Sequence, residues 1–240
     1  MKTILVCLVL ASGLVSAATI DVYSTGYTAG GGSKVFPGIA DGNWTLESGP
    51  GGSVSSPFAP FVTLGSVLGT FPFTSGAWFK DGSSGSTSEW VSPVARETSS
   101  NPNSATVPYV YQETFSLSGL DTSTVVITGE WSGDNYGYIV VNGTKVSIDG
   151  TGADGIIPNS PGEFKFFSSF VLNSSNATFL SGTNTIQFDV FNNPNGSPDV
   201  TGINVDIKSA TGDPVPEPIT FGIMGFGLAA LGVLRRTARR

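Results

Sequence analysis

The chain has 240 residues, which suits one domain with short processing segments, and its formal net charge is −7. From Ala18 to Asp213 it holds six basic and 17 acidic residues, a charge of 6 − 17 = −11, which argues against nucleic acid and anionic lipid as partners of this body. The sequence has no histidine and a single cysteine, Cys7, so a histidine triad and a zinc–thiolate site are excluded.

The chain begins with the features of a secretory signal peptide. Lys2 precedes an apolar stretch from Ile4 to Leu10, and small residues follow at Ser16, Ala17 and Ala18. A basic start, a short apolar region and a small-residue cleavage site are typical of export signals that are removed from the mature protein. We therefore assign residues 1–17 to a signal peptide, 18–213 to an extracellular domain and 214–240 to a C-terminal tail.

The first half of the domain has weak strand signals. Short β-type segments are separated by Gly/Ser/Asn-rich stretches that are typical of loops. These predicted strands are Ala18–Ser24, Asn43–Glu47, Pro60–Leu64, Ala77–Lys80 and Ser88–Ser92.

The second half predicts longer strands. They cover residues 107–117, 123–131, 136–148, 163–172, 183–192 and 202–209. Within 136–148, Asn142-Gly143 stands between two apolar runs and predicts a type I′ hairpin turn.

Two late segments alternate apolar and polar residues. Ile186, Phe188 and Val190 share one face of their strand, and Ile203, Val205 and Ile207 share one face of the next. A period of two with one polar face indicates half-buried antiparallel strands. The sequence therefore predicts an all-β antiparallel β-sandwich.

The motifs WSGDNYGYIVVNG (131–143) and GTNTIQFDV (182–190) resemble those of galactose-binding-like jelly rolls. This resemblance implies an eight-stranded sandwich. Many members of that family bind sugars through loops at one end, and many carry a structural calcium ion.

Tryptophans are the first candidates for contact with a glycan. Trp131 lies in a strongly apolar strand, which predicts a core position. Trp78 and Trp90 lie between Gly/Ser-rich loops, so we expect these two to be the more exposed and to be the candidates for stacking on sugar rings.

Acidic turns offer a candidate calcium site at Asp134, Asn135 and Asp199, because Ca²⁺ prefers carboxylate and carbonyl oxygens. Asp and Asn are also favourable turn residues, so simple turn formation stays open as the alternative. No other cofactor is expected.

No catalytic residue is assigned. The glutamates show no spacing that singles out a glycosidase pair, and the chain has no G-x-S-x-G or phosphate-binding loop. We expect the protein not to be an enzyme.

The tail combines three features. Pro216-Glu217-Pro218 favours an extended backbone, residues 219–234 form an uncharged apolar run, and four arginines follow, beginning with Arg235 and Arg236. The run predicts a single, rather short transmembrane helix with its arginines in the cytoplasm. A plain membrane anchor would share the last two features without needing the first.

This order closely resembles the PEP-CTERM sorting signal of Gram-negative bacteria. The resemblance implies that an exosortase, a membrane transpeptidase-like protease, acts near Pro216-Glu217-Pro218, and that the protein reaches the cell surface. We therefore expect an exported, non-catalytic surface or exopolysaccharide-matrix protein. The alternative is a carbohydrate-binding module, and extracellular polysaccharide is the expected partner in both cases.

Overall fold

The computed structural model describes residues 16–82, 85–97, 101–146, 163–192 and 199–216, and these form two antiparallel β-sheets with a shared apolar core. The first sheet has the order β3-β4-β11-β6-β9, with β1 also paired to β11. Its strands are β1 (Ala18–Thr19), β3 (Phe61–Val62), β4 (Val91–Ser92), β6 (Val126–Asp134), β9 (Ser168–Asn173) and β11 (Gly202–Gly212).

The second sheet has the order β2-β5-β10-β7-β8. Its strands are β2 (Thr45–Ser48), β5 (Tyr109–Ser116), β7 (Tyr136–Val141), β8 (Thr144–Lys145) and β10 (Thr183–Phe191). One α-helical turn, α1 (Gly65–Leu68), and four 3₁₀ turns (Ala29–Gly31, Pro50–Gly52, Thr122–Thr124 and Glu163–Lys165) complete the described elements. The predicted all-β antiparallel sandwich is confirmed, while its assignment to the jelly-roll class stays a prediction.

The hairpin predicted at Asn142-Gly143 is present between β7 and β8. Asn142 has φ +49° and Gly143 has φ +78°, and Val141 pairs with Thr144 across the turn. Two consecutive residues with positive φ define the type I′ geometry, whose twist matches that of the flanking strands. The local sequence therefore indicates both the turn and its register.

The main core lies between the sheets and follows the predicted alternation. Phe188 of β10 is fully buried, with ring centroids 4.9 Å from Trp131 of β6 and 5.5 Å from Trp44. Ile186 and Val190 share this face, and all three are inaccessible to solvent. Trp131 is thus a core residue, as predicted.

The opposite face of β11 differs from the prediction, because two of its polar residues, Asn204 and Asp206, are also buried, whereas Lys208 is exposed. Asn204 and Asp206 are covered by a loop in which the Ser88 hydroxyl donates to Asn204 Oδ1 and the Thr87 backbone N–H donates to Asp206 Oδ2 at 3.0 Å. Hydrogen-bonding partners make the burial of polar groups tolerable. At these two positions, the polar alternation therefore marks a face that is covered by a polar loop, not a face open to solvent.

One predicted strand, Ala77–Lys80, is instead part of a folded loop. The backbone N–H groups of Ala77 and Trp78 both donate to the Pro72 carbonyl, at 3.2 and 3.4 Å, which bends the chain back on itself. The loop occupies the end of the sandwich at which β11 begins.

Candidate functional site

Both ends of the domain emerge at the same end of the sandwich. Ala18 in β1 pairs with Gly212 at the end of β11, and Ser16 and Ala17, which precede β1, are exposed. The predicted signal-peptide cleavage site thus lies beside the point where the tail begins. Residues 1–15 lie outside the described residues.

The tail is attached to the body by a short run of hydrogen bonds. The Val215 N–H donates to the Gly119 carbonyl at 2.8 Å, and the Asp213 N–H donates to the Thr124 hydroxyl at the same distance. Val215 and Pro216 are exposed, so the chain leaves the body at the first proline of the predicted sorting motif.

The rest of the predicted sorting motif, Glu217, Pro218, Arg235 and Arg236, lies outside the described residues, as does the apolar run at 219–234. Within the ranges that are described, no helix is long and apolar enough to cross a bilayer.

The opposite end of the sandwich holds a second, smaller cluster made of Phe73, Trp78, Trp90 and Val200. The two indoles stack with centroids 4.1 Å apart, and the Phe73 ring meets Trp78 edge-on at 5.6 Å. Trp78 is 1% exposed and Trp90 is 0% exposed. The expectation that these two tryptophans are exposed is therefore wrong.

Burial of both indoles is explained by their hydrogen bonds. Trp78 Nε1 donates to Asp134 Oδ2 at 2.7 Å, and Trp90 Nε1 donates to the Phe79 carbonyl at 3.2 Å. A tryptophan that finds a partner for its N–H can bury its whole ring without leaving a polar group unsatisfied. The folded loop that contains Pro72 and Trp78 supplies this cover, which the Gly/Ser-rich composition does not indicate.

Two buried carboxyl groups lie beside this aromatic cluster. Burial raises the pKa of Asp134, 4% exposed, to about 7, and the charge of Asp199 raises it as well. Burial likewise raises the pKa of Glu97, 6% exposed, to about 7, against the lowering effect of the Ser92 hydroxyl, which donates to Glu97 Oε1 at 2.7 Å. Desolvation outweighs hydrogen bonding at both positions.

Tyr111 of β5 lies within electrostatic range of both carboxyl groups. Its ring is fully buried and its hydroxyl has no hydrogen-bonding partner among the described residues. Burial raises the pKa of Tyr111 well above its usual value, and the charges of Tyr109, Glu97 and Asp134 add to this effect. We refer to Trp78, Trp90, Glu97, Tyr111 and Asp134 as the aromatic–carboxyl cluster.

The structure brings the three candidate calcium ligands to this same end. Asp134 closes β6 opposite Gly202, Asn135 follows it, and Asp199 lies just before β11. The carboxyl groups already have partners: Asp134 Oδ2 accepts from Trp78, and Asp199 Oδ1 accepts from the Val200 N–H at 2.8 Å. Asn135 Oδ1 is buried without a partner in the part of the chain that the structure describes. Across the described ranges, no three or more His, Cys, Asp or Glu residues form a group suited to a metal ion.

Sequence reasoning missed Glu97, Tyr111 and Glu113 as buried polar residues. Glu113 shares the inward face of β5 with Tyr111, accepts from the Tyr23 N–H at 3.0 Å, and has a pKa raised well above normal by burial. Its alternation with Tyr109 and Tyr111 is a usable signal, because residues two apart in a strand share a face. Nothing local to Glu97 indicates its burial.

A comparison with known protein families supports the interpretation of the tail as a sorting signal. The family model described as the PEP-CTERM protein-sorting motif matches residues 214–240. No curated protein and no solved structure matches the chain. The match begins at Pro214, one residue before Val215, which makes the last described backbone hydrogen bond between the tail and the body. The chain therefore carries a PEP-CTERM sorting motif, which indicates an exported protein targeted to an exosortase.

Proposed function

We propose that this is a non-catalytic protein of the cell surface or exopolysaccharide matrix of a Gram-negative bacterium. Its tail holds it in the membrane until an exosortase acts near Pro216-Glu217-Pro218. The body then fulfils a structural role outside the cell.

The observation that carries this proposal is the way the matched motif joins the body. Val215 and Pro216 are exposed, and the preceding residues are held by backbone hydrogen bonds. A protease can therefore reach an extended segment at this point while the sandwich stays folded. The signal-peptide site emerges at the same end, so both processing steps act away from the aromatic–carboxyl cluster.

The composition of the tail suits a temporary anchor. Its uncharged run covers residues 219–234, somewhat fewer than the ~20 residues that usually span a bilayer. Four arginines follow and favour a cytoplasmic end. An anchor that is cut off after export needs to hold the protein only until the exosortase has acted.

The non-catalytic part of the proposal is supported by the position of the perturbed carboxyl groups. Glu97, Glu113 and Asp134 have raised pKa values, as catalytic acids often do, but all three are buried and hydrogen-bonded within the sandwich. A substrate could not contact them without opening the fold. We interpret them as structural groups.

The carbohydrate-binding alternative has lost its two aromatic candidates, since Trp78 and Trp90 are buried. It now depends on the family resemblance alone, through loops that remain to be identified. Retention of the exported protein on a column of the host's own polysaccharide would support it. If the protein is not retained on the column, the carbohydrate-binding alternative is excluded and the structural role is the one that stands.

The proposed sorting route is tested by replacing Pro216, Glu217 and Pro218 together with alanine. Surface fractions are compared between an exosortase-bearing host and the same host without its exosortase. We expect the wild-type protein at the surface only when the exosortase is present, and the triple variant retained in the inner membrane in both hosts.

The control is Val215→Ala, which changes the exposed residue next to the triplet and should leave sorting intact. Surface delivery of the triple variant at the wild-type level would contradict the proposal. Exosortase-independent delivery of the wild-type protein would contradict it as well.

A further inference from the structure

The residues just before the sorting motif are paired with a loop of the body. The Val215 N–H donates to the Gly119 carbonyl, and the Asp121 N–H donates to the Asp213 carbonyl, both at 2.8 Å. The Asp213 N–H donates to the Thr124 hydroxyl at 2.8 Å. These three bonds hold the start of the tail antiparallel to the loop. We call the residues that form this pairing the tail latch: Gly119, Leu120, Asp121, Thr124, Asp213, Pro214 and Val215.

The loop side of the tail latch is held in place by the body. The Leu120 N–H donates to the Leu117 carbonyl at 3.1 Å, which closes a turn, and the fully buried Leu117 donates its own N–H to the Gly182 carbonyl at 2.7 Å. The Asp121 carboxylate accepts from the Ser123 N–H at 2.9 Å and from the Ser123 hydroxyl at 2.7 Å. The loop therefore offers the tail an edge whose shape is set by contacts within the body.

The composition of the tail leaves it a single edge of backbone donors. Positions 214, 216 and 218 are prolines, which have no backbone N–H, so only Asp213, Val215 and Glu217 can donate between 213 and 218. Successive residues of an extended strand turn their N–H groups to opposite edges, so residues two apart donate from the same edge. Asp213 and Val215 both donate to the body. The tail latch therefore occupies the edge from which this segment can donate to a partner strand.

The body loop and an exosortase would compete for the same backbone groups. An extended peptide is commonly bound as an added strand, through main-chain hydrogen bonds along one edge. We propose that the tail latch withholds residues 213–215 from the exosortase, so that cleavage of the tail waits for the tail latch to open. This inference rests on the proposed sorting route and adds to it a contact that regulates the same site.

The spacing at the junction supports this competition. Val215 makes the last described bond to the body, and the uncharged apolar run begins at residue 219, so three residues separate the body from the predicted membrane segment. Three extended residues span about 10 Å. Opening of the tail latch frees residues 213–215 and raises this span to about 20 Å. An enzyme at the membrane surface then has room on both sides of the Pro-Glu-Pro triplet.

Opening of the tail latch does not require the sandwich to unfold. β11 is paired with β6 as far as Thr211, opposite Val126, and the next residue, Gly212, is buried. The side chains of Asp213 and Val215 are already exposed, so opening removes three hydrogen bonds and exposes little further apolar surface. Water replaces the lost partners, and terminal segments open locally far more often than the core. The tail latch can therefore open and close on a folded body.

A disulfide across the tail latch tests the proposal. Leu120 and Pro214 lie opposite each other between the two backbone bonds, as a non-hydrogen-bonded pair, whose Cα atoms approach to about 4.5 Å and suit a disulfide. The full chain with Leu120→Cys and Pro214→Cys is expressed in the exosortase-bearing host, where export brings it into an oxidising compartment. Cys7 is the only native cysteine and lies in the predicted signal peptide, so it leaves the introduced pair undisturbed.

Loss of the tail is followed by pulse-chase and intact mass, before and after addition of a reductant. We expect cleavage of the oxidised double variant to be at least ~10-fold slower than that of its reduced form, because the cleavable state is no longer populated. The two single-cysteine variants control for the substitutions, and the wild-type protein controls for the reductant. Recovery on reduction separates a closed tail latch from a misfolded body. Equal cleavage of the oxidised and reduced forms would overturn the proposal.

Loosening of the tail latch should have the opposite effect. Thr124→Val keeps the shape of the side chain but removes the hydroxyl that accepts from the Asp213 N–H, so we expect cleavage to become roughly fivefold faster. Thr122→Val, in the same 3₁₀ turn, is the matched control and should leave the rate unchanged. Val215→Ala keeps its backbone N–H and should also leave it unchanged. Slower cleavage of Thr124→Val would show that the pairing presents the tail to the enzyme, and would overturn the proposal.

The tail latch and the sorting route fail in different ways. Exosortase-dependent cleavage of the wild-type protein, together with equal cleavage of the oxidised and reduced double variant, would overturn the tail latch and leave the sorting route standing. A wild-type protein that keeps its tail in the exosortase-bearing host would overturn both.

Discussion

The two apolar clusters of this sandwich are built on different principles. The main core is made of strand residues that alternate in the sequence, and its aromatic rings contact one another around Phe188. The aromatic–carboxyl cluster is made largely of loop and strand-end residues, shares Tyr111 with the main core, and buries the Trp78 indole against the Asp134 carboxyl group. The main core is stabilised chiefly by apolar burial, with hydrogen bonds from members such as Trp44 to backbone carbonyls, whereas the aromatic–carboxyl cluster also depends on the protonation of buried carboxyl groups. The two clusters should therefore respond differently to pH and to substitution.

The largest expected effect is the pH dependence of stability. Glu97 and Asp134 have folded pKa values of about 7, raised from ordinary values of 4.5 and 3.8 by burial. The folded state therefore holds protons that the unfolded state has lost. Their contribution is complete below about pH 4 and disappears as the pH rises through 7. At ~1.4 kcal/mol per pKa unit, the differences for the two groups together correspond to a loss of roughly 8 kcal/mol.

The measurement is urea unfolding of the mature protein between pH 4 and pH 9. Burial acts to raise the pKa of Asp206, but hydrogen bonds from Lys208 and Thr87 outweigh it and lower this pKa. Asp206 therefore contributes stability above its ordinary pKa, and this contribution is lost as the pH falls through the lowered value. Stability should therefore be highest near pH 4 to 5. The double variant Glu97→Gln, Asp134→Asn should make the decline above that pH shallower, and Glu113, whose pKa burial also raises, should account for part of what remains. A decline of unchanged slope in this variant would show that other groups are responsible.

The next effect concerns the main core, through Phe188→Ala. The Phe188 ring is fully buried and lies 4.9 to 5.8 Å from the rings of Trp44, Trp131 and Phe170. Its removal leaves a cavity between the sheets and should lower the free energy of unfolding by about 4 kcal/mol at any pH. Phe166→Ala, at a residue that is 59% exposed, is the control and should change it by less than ~0.5 kcal/mol. Similar losses for both variants would contradict the assignment of the core.

The residues of the main core could be predicted because they depend on local pattern. Alternation placed Ile186, Phe188 and Val190 inside, and the Asn142-Gly143 turn fixed the register of β7 and β8. The burial of Trp78 and Trp90 could not be predicted in this way. It depends on a loop that folds back over the end of the sandwich and on a carboxyl group 56 positions away from Trp78. The sequence pattern around a loop tryptophan indicates neither the fold of this loop nor the position of a distant carboxyl group.

A smaller effect is expected from Trp78→Phe in the aromatic–carboxyl cluster. This change keeps an aromatic ring but removes the N–H that donates to Asp134, which leaves a buried carboxyl oxygen without that partner. We expect a loss of about 2 kcal/mol near neutral pH. Because the Trp78 hydrogen bond lowers the pKa of Asp134, this pKa should rise further in the variant.

Trp90→Phe is the matched control, because its indole donates to the Phe79 carbonyl and not to a carboxyl group. Its effect on stability should be independent of pH, whereas that of Trp78→Phe should grow as Asp134 ionises. Parallel pH profiles for the two variants would contradict the coupling between Trp78 and Asp134.

The smallest expected effect is that of calcium removal. Asp134 and Asp199 already accept hydrogen bonds, and burial favours the protonated form of Asp134. We therefore expect a chelator to leave the melting temperature of the mature protein unchanged. This is the result for acidic residues that only form turns and bind no metal. A clear decrease that added Ca²⁺ reverses, and that is absent in Asp199→Ala, would establish the calcium site that the jelly-roll resemblance implies.

The central claim, that the tail is a removable sorting signal joined to an independently folded body, is tested most directly by the intact mass of the surface protein. In exosortase-bearing cells, we predict a mass that begins near Ala18 and ends near Pro216-Glu217-Pro218, without the apolar run and without Arg235 to Arg240. A surface protein whose mass still includes Arg240 would contradict the claim and would identify the tail as a permanent anchor.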